Sequence, residues 1–586
     1  MRVVSGFFIC SLIVTIGYIL GMLVFLNDYE ENRCEMTYMY EYPQFVRIKH
    51  DADHRFRKYG LYAYSEGRFT YDARNMKFSG IPVLFIPGNA GSYRQVRSFA
   101  SVSLRKSLDD RPGFHFDFFT VDLNDEFSGL NGALLYEQTD YVNNSIYRIL
   151  ELYNSNEKSR PKNIILFGHS MGGVIARGLL TILEENIVSL IITLATPHSR
   201  PPLMLDSYMF DYYHKLQVTN KADNSTIVSL SGGYNDYLIT PFITTAKYLE
   251  NVHVFSPSIP LVWLPIDHLC ILWCKQLVLV VTKGLFDAID FNTKQISQDP
   301  EYLRAVFHHH LVNNNGLKIR KSIQSVHSTS SMTFRRGRSE WMENLQKQYT
   351  ISLRNGVQET QYHMIRVLDD ADYRYLTILT LNLEVVEWAF ACAANELQGQ
   401  HRICSDGIHL SHLSQISPSV RYKRKLLNLD THELKRNYTE VTHVVIRVLP
   451  TSEPVTIQID RYFEPDRKVE VKLPSLLSFQ RNLILNETHE KALYYELMVP
   501  QLTHIIQSYK IYVDPITCNA KQHHATASLI VPWGNQNIYK HFMEGDKNPF
   551  LVRLHSSRPI NNNWNLSTSI LLTLDPVCRY SVSSWN

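Results

Sequence analysis

The sequence predicts an α/β domain followed by antiparallel β-structure, with an apolar helix in front of both. Three observations support this fold class. As far as about residue 290, strands of the buried type run into glycine-containing turns and then into helix-like stretches, which is the pattern of a parallel sheet covered by helices. After residue 361, short β-type runs recur with turn residues between them. Residues 7–26 contain no charged side chain.

These changes of pattern divide the chain into four parts. We expect a transmembrane anchor at 7–26, an α/β domain at 28–292, a polar connecting segment at 293–360 and one or two β-sandwich domains at 361–586. The net charge of +3 indicates no strongly charged partner, so no nucleic-acid surface is expected. Three consecutive histidines at 308–310 cannot all face one ion on a helix, and we predict no metal site.

The predicted anchor has the length of a bilayer span. Its twenty residues would rise about 30 Å as an α-helix, which matches the hydrocarbon core of a membrane. A cleaved signal peptide is the alternative, but its apolar region is normally about 7–15 residues and ends at a small-residue cleavage site, whereas this run ends in FLNDYEE. Arg2 precedes the span and acidic residues follow it, which predicts a cytosolic N-terminus with the bulk of the chain across the membrane.

The most informative motif follows a strand of the buried type. Residues 164–172 read IILFGHSMG, in which Gly168 and Gly172 flank Ser170 in a G-x-S-x-G pattern. The two glycines permit a turn so sharp that the serine hydroxyl stands between a strand end and a helix start. Small and aliphatic residues follow and can form that helix. Ser170 is therefore the candidate nucleophile of an α/β-hydrolase fold.

A serine nucleophile needs a base and an orienting acid, which follow it in this fold in the order Ser, Asp/Glu, His. Asp236 comes just beyond the short apolar strand at 226–231 and is the candidate acid. His268 follows another apolar run and is the candidate base. The carboxylates and imidazoles that fit this order less well are Asp206, Asp211, Asp223, His169, His198, His214 and His253.

The tetrahedral intermediate also needs backbone N–H groups that stabilise its oxyanion. Met171, the residue after the nucleophile, supplies the first donor. A buried-type strand at 81–86 runs into PGNAGS, so we assign Asn89 or Ala90 as the second donor. A phosphate-binding loop is the alternative reading, but neither G-x-x-x-x-G-K-[ST] nor G-x-G-x-x-G is present.

Six segments of the α/β region are more specific than the serine motif alone. They read GIPVLFIPGNAGSYRQVR (80–97), HFDFF (115–119), GHSMGGVIAR (168–177), ATPH (195–198), SGGYNDY (231–237) and DHLCILWCKQ (267–276). Together they resemble the GPI inositol-deacylase family, which are serine lipases of the endoplasmic reticulum with the α/β-hydrolase fold. The likeness runs from about residue 29 to the C-terminus and is strongest from 80 to 280.

The resemblance implies removal of the acyl chain from the inositol of glycosylphosphatidylinositol (GPI)-anchored proteins, which aids their maturation and export. It implies Ser170, Asp236 and His268 as the triad, a lumenal catalytic domain, and acylated GPI-anchored proteins and membrane lipid as partners. We expect no cofactor. Family members usually continue into several further transmembrane helices, whereas this sequence stops at Asn586, so we expect a form that lacks those helices. A lipase or acyltransferase for another lipid, or a catalytically silent cargo-binding protein, stays open.

Eight cysteines and five N-x-[ST] sequons fit an oxidising, lumenal compartment. Cys10 lies in the anchor, so at least one of the other seven is unpaired or bonded between chains. Cys392 with Cys404 and Cys518 with Cys578 are plausible local pairs. The sequons, all after the predicted span, are at Asn143, Asn224, Asn437, Asn486 and Asn565.

Overall fold

The structure is a computed structural model of the 586-residue chain. It describes residues 2–27, 32–49, 54–109, 113–153, 160–218, 225–245, 252–317, 319, 331–334, 340–396, 399–419, 423–474, 481–518, 523–534, 536–543, 548–559 and 567–585. In the first helix, side chains are described at residue 6 and at residues 8–23.

An eight-stranded sheet forms the centre of the first domain. Its strands are β1 (Pro43–Ile48), β2 (Gly60–Glu66), β3 (Ile81–Ile86), β4 (Phe116–Asp122), β5 (Ile164–His169), β6 (Val188–Leu194), β7 (Thr226–Ser231) and β8 (Val252–Phe255). Their order is β1-β2-β4-β3-β5-β6-β7-β8. Strand β2 is antiparallel to both neighbours, and from β4 to β8 all pairings are parallel. Strands β3, β5, β6 and β7 are buried along their whole length, as parallel strands covered on both faces require.

Helices cover both faces of this sheet. The α-helices described between residues 2 and 311 are α1 (Arg2–Asn27), α2 (Phe69–Arg74), α3 (Arg97–Asp109), α4 (Gly132–Glu151), α5 (Met171–Leu179), α6 (Ser207–Val218), α7 (Pro241–Thr244), α8 (Lys275–Asp287) and α9 (Pro300–Leu311). Buried side chains of α3, α8 and α9 share one core, and those of α4, α5 and α6 share the core on the other face. This arrangement confirms the predicted α/β-hydrolase fold.

Residues 293–360 were predicted to be a connecting segment, but their described parts belong to the α/β domain and to the sandwich that follows it. Helix α9 buries Leu303, Val306 and Phe307 against α8 because these residues lie three and four positions apart on one helix face. A two-stranded hairpin, β9 (Ile289–Asp290) and β10 (Gln295–Ile296), precedes it. The core of the α/β domain therefore extends past residue 292.

A first β-sandwich follows. Its strands are β11 (Ser331–Thr333), β12 (Glu340–Asn344), β13 (Gln348–Leu353), β14 (Gln361–Arg366), β15 (Tyr375–Leu381), β16 (Ala389–Glu396), β17 (His401–His409), β18 (Gln415–Ser417), β19 (Arg424–Asp430), β20 (His443–Val448) and β21 (Val455–Tyr462), with helix α10 (Thr431–Asn437). One sheet has the order β11-β17-β12-β14-β20-β16 and the other β13-β21-β15-β19-β18. The two sheets bury one apolar core that includes Trp388, which is fully buried.

A second β-sandwich ends the chain. Its strands are β22 (Lys468–Glu470), β23 (Asn482–Leu485), β24 (Tyr494–Val499), β25 (Ser508–Cys518), β26 (His524–Val531), β27 (Gln536–Met543), β28 (Phe550–Arg553), β29 (Thr568–Thr573) and β30 (Cys578–Trp585). The sheets have the orders β22-β24-β29-β26-β27 and β23-β30-β25-β28. Short 3₁₀ helices occur at Tyr93–Val96, Ser256–Ser258, Cys270–Leu272, Ala371–Tyr373, Ser411–Leu413, Glu464–Asp466 and Pro532–Gly534. The predicted β-rich C-terminal region is thus confirmed as two sandwiches.

Where its side chains are described, the N-terminal helix α1 exposes apolar residues, among them Phe8, Leu12 and Leu20. None of the helices in the described part of the chain meets the combined length and hydropathy of a membrane span. The anchor predicted at 7–26 is therefore unsupported by the structure.

Three disulfides join described cysteines. Both predicted local pairs, Cys392–Cys404 and Cys518–Cys578, are present. A third, Cys34–Cys274, bridges a sequence separation of 240 residues and was not predicted. Cys10 and the buried Cys270 are free thiols, which agrees with the expectation of at least one unpaired cysteine.

The predicted glycosylation sites differ in accessibility. Asn437 at the end of α10 and Asn486 after β23 are exposed. Asn143 is half-buried within α4, where its Oδ1 is buried, so its sequon is poorly presented for glycosylation. Asn224 and Asn565 lie outside the described residues.

Candidate active site

Ser170 occupies a sharp turn between β5 and α5. Its backbone has φ 53° and ψ −123°, a left-handed conformation that costs free energy for a non-glycine residue and is typical of the nucleophile turn in this fold. A Cβ on Gly168 would lie 2.4 Å from Gly173 Cα, and a Cβ on Gly172 would lie 2.1 Å from Ile86 O. Both flanking glycines are therefore required by close backbone approach.

Asp236 and His268, predicted from chain order and from their positions after apolar strands, lie together at the same end of the sheet. His268 Nδ1 lies 3.0 Å from Asp236 Oδ2. The other carboxylate oxygen, Oδ1, accepts hydrogen bonds from the N–H groups of Leu238 (3.1 Å) and Ile239 (2.8 Å). The Asp236 side chain is fully buried, and that of His268 is 11% exposed. The backbone donors fix the carboxylate so that it holds the His268 ring in one orientation.

The loops that carry the acid and the base contact each other through Gly232. Its carbonyl oxygen accepts hydrogen bonds from Ile266 N (3.0 Å) and Ser256 Oγ (2.7 Å). A Cβ on Gly232 would lie 2.2 Å from Ile266 O, so this approach requires glycine. The separation between Asp236 and His268 is therefore set by backbone contacts as well as by the side chains.

The predicted oxyanion donors lie beside Ser170, with one correction. Met171 begins α5, where the first N–H groups have no partner inside the helix. A Cβ on Gly88 would lie 2.6 Å from Ser170 Cβ, which brings the 87–91 loop against the nucleophile. Ala90 N, however, donates to Glu126 O at 2.9 Å and is not available as a donor. Of the two predicted residues, Asn89 remains, and its Oδ1 accepts a hydrogen bond from Gly129 N at 2.8 Å.

His169 is a site residue that the sequence reasoning placed only among the competing histidines. Its Nε2 lies 2.9 Å from His268 O, and the two rings are 4.8 Å apart. Because a carbonyl oxygen only accepts, His169 Nε2 is the donor. Burial lowers the pKa of His169 to about 3, so the ring is neutral at physiological pH. His169 thus holds the backbone of the base, and its position next to Ser170 was the signal that could have indicated this.

The competing carboxylates have other roles. Asp206 accepts hydrogen bonds from Gly132 N (2.8 Å) and Met209 N (2.7 Å), so it joins the starts of α4 and α6. Asp211 is exposed on α6. Asp223 lies outside the described residues.

The other competing histidines are structural or peripheral. His198 is buried between Thr193 Oγ1, 2.9 Å from its Nε2, and Arg177, which donates to its carbonyl oxygen at 2.9 Å. Burial and the nearby Arg177 hold the pKa of His198 well below its usual range. His253 lies on β8, where burial lowers its pKa to about 4, and His214 is exposed on α6.

Cysteine clusters do not provide a metal site. Among the described residues, two groups place three ligand atoms within 4.8 Å of one another: Cys34, Cys270 and Cys274, and Cys518, His523 and Cys578. Two cysteines of each group form a disulfide, and metal ligation requires thiolates. The prediction that the protein uses no metal stays a prediction.

Two family models match the chain. The first, described as a PGAP1-like alpha/beta domain, matches residues 77–288 and so covers the whole candidate site. The second, described as a GPI inositol-deacylase beta-sandwich domain, matches residues 465–585, the second sandwich. These matches confirm the resemblance that the sequence motifs indicated.

Curated relatives agree with these models. A GPI inositol-deacylase of Xenopus laevis is 31% identical over 592 residues, covering 97% of this chain and 61% of its own. That of Mus musculus is 30% identical, covering 96% of this chain and 60% of its own. That of Aspergillus fumigatus is 37% identical over 286 residues, covering 42% of this chain and 25% of its own. The chain therefore spans about three-fifths of the length of the two animal relatives. A solved arylesterase aligns with 46% of this chain and 95% of its own at 11% identity and a TM-score of 0.28, too low to add to the fold assignment.

Proposed function

We propose that this relative of the GPI inositol-deacylases is a serine ester hydrolase that removes the acyl chain from the inositol of GPI-anchored proteins. The observation that carries the proposal is the 3.0 Å contact between His268 Nδ1 and Asp236 Oδ2, beside a strained serine turn. An acid that orients an imidazole next to a serine hydroxyl is the arrangement needed for acyl transfer. The two family matches supply the class of ester.

The reaction follows from the roles of these groups. Ser170 Oγ attacks the acyl carbonyl carbon while His268 takes the serine proton, and the N–H groups of Met171 and Asn89 stabilise the oxyanion. The carbonyl–oxygen bond to inositol then breaks, and His268 donates its proton to the leaving inositol oxygen. Water, activated by the same imidazole, releases the fatty acid from Ser170. Asp236 stabilises the imidazolium that forms in both steps.

Apolar side chains around the triad support a lipid substrate. Leu269 follows the base, while Tyr237 and Leu238 follow the acid, and these three side chains are 56%, 54% and 66% exposed. Phe127, on the loop that contacts Asn89, is 59% exposed. Large exposed apolar side chains near a site are typical of surfaces that bind apolar ligands. We call these four residues the apolar rim.

The chain that follows α1 is fixed beside the base. Asn32 Nδ2 donates to Asp267 Oδ2 at 3.0 Å, and Cys34 is disulfide-bonded to Cys274. Five peptide steps separate Asn27 from Asn32, which span at most about 18 Å. If α1 is held in a membrane, the loop that carries Asp267, His268 and Leu269 lies within reach of the bilayer surface. This short tether supports a substrate whose acyl chain is embedded in lipid.

We accordingly propose that α1 anchors the protein in the endoplasmic reticulum membrane, with a cytosolic N-terminus and a lumenal catalytic domain. The exposed apolar side chains of α1 and the three disulfides support this location. Glycosidase treatment should increase gel mobility through loss of glycans at Asn437 or Asn486, and N-terminal sequencing should recover residues before Asn27. A mature protein that starts after Asn32 and stays in solution would contradict the proposal.

Labelling with a fluorophosphonate probe tests whether the protein is an enzyme or a catalytically silent cargo-binding protein. The full chain in detergent should be labelled covalently, and the Ser170→Ala variant should not. Ser92→Ala is a matched control because Ser92 lies on the neighbouring loop and outside the triad. Equal labelling of the wild type and Ser170→Ala would exclude the assigned nucleophile.

A comparison of substrates distinguishes the proposed deacylase from a lipase or acyltransferase that acts on another lipid. Purified protein is incubated with inositol-acylated GPI, with diacyl phospholipid, and with a second acyl acceptor, and the products are measured by mass spectrometry. The proposal expects free fatty acid from acylated GPI and a much slower reaction of the phospholipid. Release from phospholipid alone, or transfer of the acyl chain to the acceptor, would favour the alternative enzymes.

A further inference from the structure

The loop that carries the candidate acid contacts the second sandwich. Tyr234 lies two residues before Asp236, and its ring stacks on that of His555 with centroids 4.6 Å apart and planes 21° apart. His555 lies two residues after β28 and is 5% exposed. A residue more than 300 positions away in the sequence therefore packs directly against the acid loop.

The same imidazole contacts a second element of the site. The His555 ring stacks on Phe255, the last residue of β8, with centroids 4.0 Å apart and planes 12° apart. The next residue, Ser256, donates from its Oγ to Gly232 O in the acid loop. His555 is thus inserted between the acid loop and the end of β8, and burial lowers its pKa to about 3, which leaves the ring neutral.

Polar contacts fix the Tyr234 ring to the sandwich. The Tyr234 hydroxyl donates to Arg553 O on β28. The Arg553 guanidinium lies 5.9 Å from the Tyr234 ring centroid, and its Nε donates to Ser508 Oγ on β25 at 2.9 Å. Contacts with two paired strands of the second sandwich, β28 and β25, therefore fix the position of Tyr234.

Backbone geometry transmits this contact to the acid. Gly233, between Gly232 and Tyr234, has φ +87°, and a Cβ there would lie 3.1 Å from Pro257. Asp236 N donates to Gly233 O at 3.3 Å, which closes a turn between the stacked tyrosine and the carboxylate. A shift of the Tyr234 ring moves this turn and changes the distance from Asp236 Oδ2 to His268 Nδ1.

We infer that His555 and Tyr234 are positioning residues, through which the second sandwich holds Asp236 in its catalytic position. The inference rests on the proposed function and deepens it, because it makes residues 465–585 part of the catalytic unit. Without the stack, the acid loop moves away from His268 and the chemical step slows. Binding of a small ester is unaffected, since His555 is buried and neither residue belongs to the triad or to the oxyanion donors.

Three variants of the full chain test this inference on a short soluble ester. His555→Ala removes the ring, His555→Phe retains a planar ring, and Leu572→Ala removes a fully buried side chain from the same sandwich core. We expect His555→Ala to lower kcat by roughly tenfold or more with KM within twofold, because small misplacements of catalytic groups are costly. His555→Phe and Leu572→Ala should retain kcat within twofold. Wild-type kcat in His555→Ala, or an equal loss in Leu572→Ala, would overturn the inference.

Amide hydrogen exchange gives a readout that does not depend on activity. The N–H groups of Leu238 and Ile239 donate to Asp236 Oδ1, so their protection reports the position of the acid. His555→Ala should speed their exchange, while Leu572→Ala should not. If His555→Ala does not accumulate, Tyr234→Leu removes the stack from the other side. Unchanged exchange in the stack-deleted variant refutes the positioning role, whereas inactivity of the wild type on every ester would refute the proposed function instead.

Discussion

Substitution of Gly232 by alanine should separate the acid from the base while both catalytic residues stay chemically unchanged. The added Cβ would lie 2.2 Å from Ile266 O, and real contacts of this kind essentially never fall below 3.0 Å. The acid loop and the loop that carries His268 must therefore move apart by about 0.8 Å. The Cβ position is fixed by the backbone of residue 232 and Ile266 O is itself a backbone atom, so no side-chain rotation can relieve the clash.

The expected cost follows from this displacement. A misplacement of about 1 Å in a catalytic array costs about 10²-fold in rate, or about 2.7 kcal/mol in activation free energy. We expect kcat of Gly232→Ala on a soluble ester to fall by about 10²-fold, with KM little changed. The melting temperature should show that the protein still folds.

Gly113→Ala is the matched control. A Cβ at Gly113 meets no atom within 4 Å, so this variant changes the same residue types with no clash. Its kcat should equal that of the wild type. A Gly232→Ala enzyme with kcat within twofold of the wild type would refute the argument that backbone contact sets the distance between Asp236 and His268.

Three further outcomes follow from the structure. Asp236→Asn should lower kcat by about 10⁴-fold with little change in the melting temperature. An amide N–H that faces His268 Nδ1 forces the imidazole into the wrong tautomer for accepting the serine proton. Retention of activity would show that the carboxylate is dispensable. Cys34→Ser should cost about 2–5 kcal/mol in unfolding free energy by denaturant titration, and an unchanged midpoint under non-reducing conditions would contradict a stabilising role of the bond to Cys274. His555→Phe should make the free energy of unfolding less sensitive to acid. In the unfolded chain His555 takes up a proton below about pH 6.5, but in the folded protein only near pH 3, so the wild type loses about 2 kcal/mol of stability from this group between pH 6.5 and 5. Parallel profiles of unfolding free energy against pH for the two proteins would disprove this.

The chain order of the site residues could be read from the sequence because each follows a recognisable strand. Ser170 sits after an apolar run between glycines, and Asp236 and His268 come after later strands, so local pattern placed them at one end of the sheet. Their mutual distance depends on the close approach at Gly232, which no local pattern shows. The exclusion of Ala90 as a donor likewise depends on Glu126, which lies 36 residues away in another loop.

Contacts between distant segments were beyond sequence reasoning for the same reason. The disulfide from Cys34 to Cys274 spans 240 residues, and spacing carries no information on such a pair. The nearby pair Cys392–Cys404 was a plausible candidate, although spacing alone does not establish it either. Helix α9 lies in the segment predicted as a polar connection, yet its buried face completes the α/β core through contacts with a helix that precedes that segment. The stack of Tyr234 on His555 joins two domains. Tyr234 lies in the SGGYNDY segment, but nothing in that segment indicates a contact with the second sandwich.

Trapping the acyl-enzyme tests the central claim most directly. Inositol-acylated GPI is mixed with the full chain in detergent, the reaction is quenched with acid within the first turnover, and peptides are analysed by mass spectrometry. The account predicts the fatty acyl mass on the peptide that contains Ser170 in the wild type, and its absence together with loss of deacylation in Ser170→Ala. Deacylation that persists in Ser170→Ala, or an acyl group found on a different residue, would contradict the assignment of Ser170, His268 and Asp236 as the catalytic triad of an acyl-inositol hydrolase.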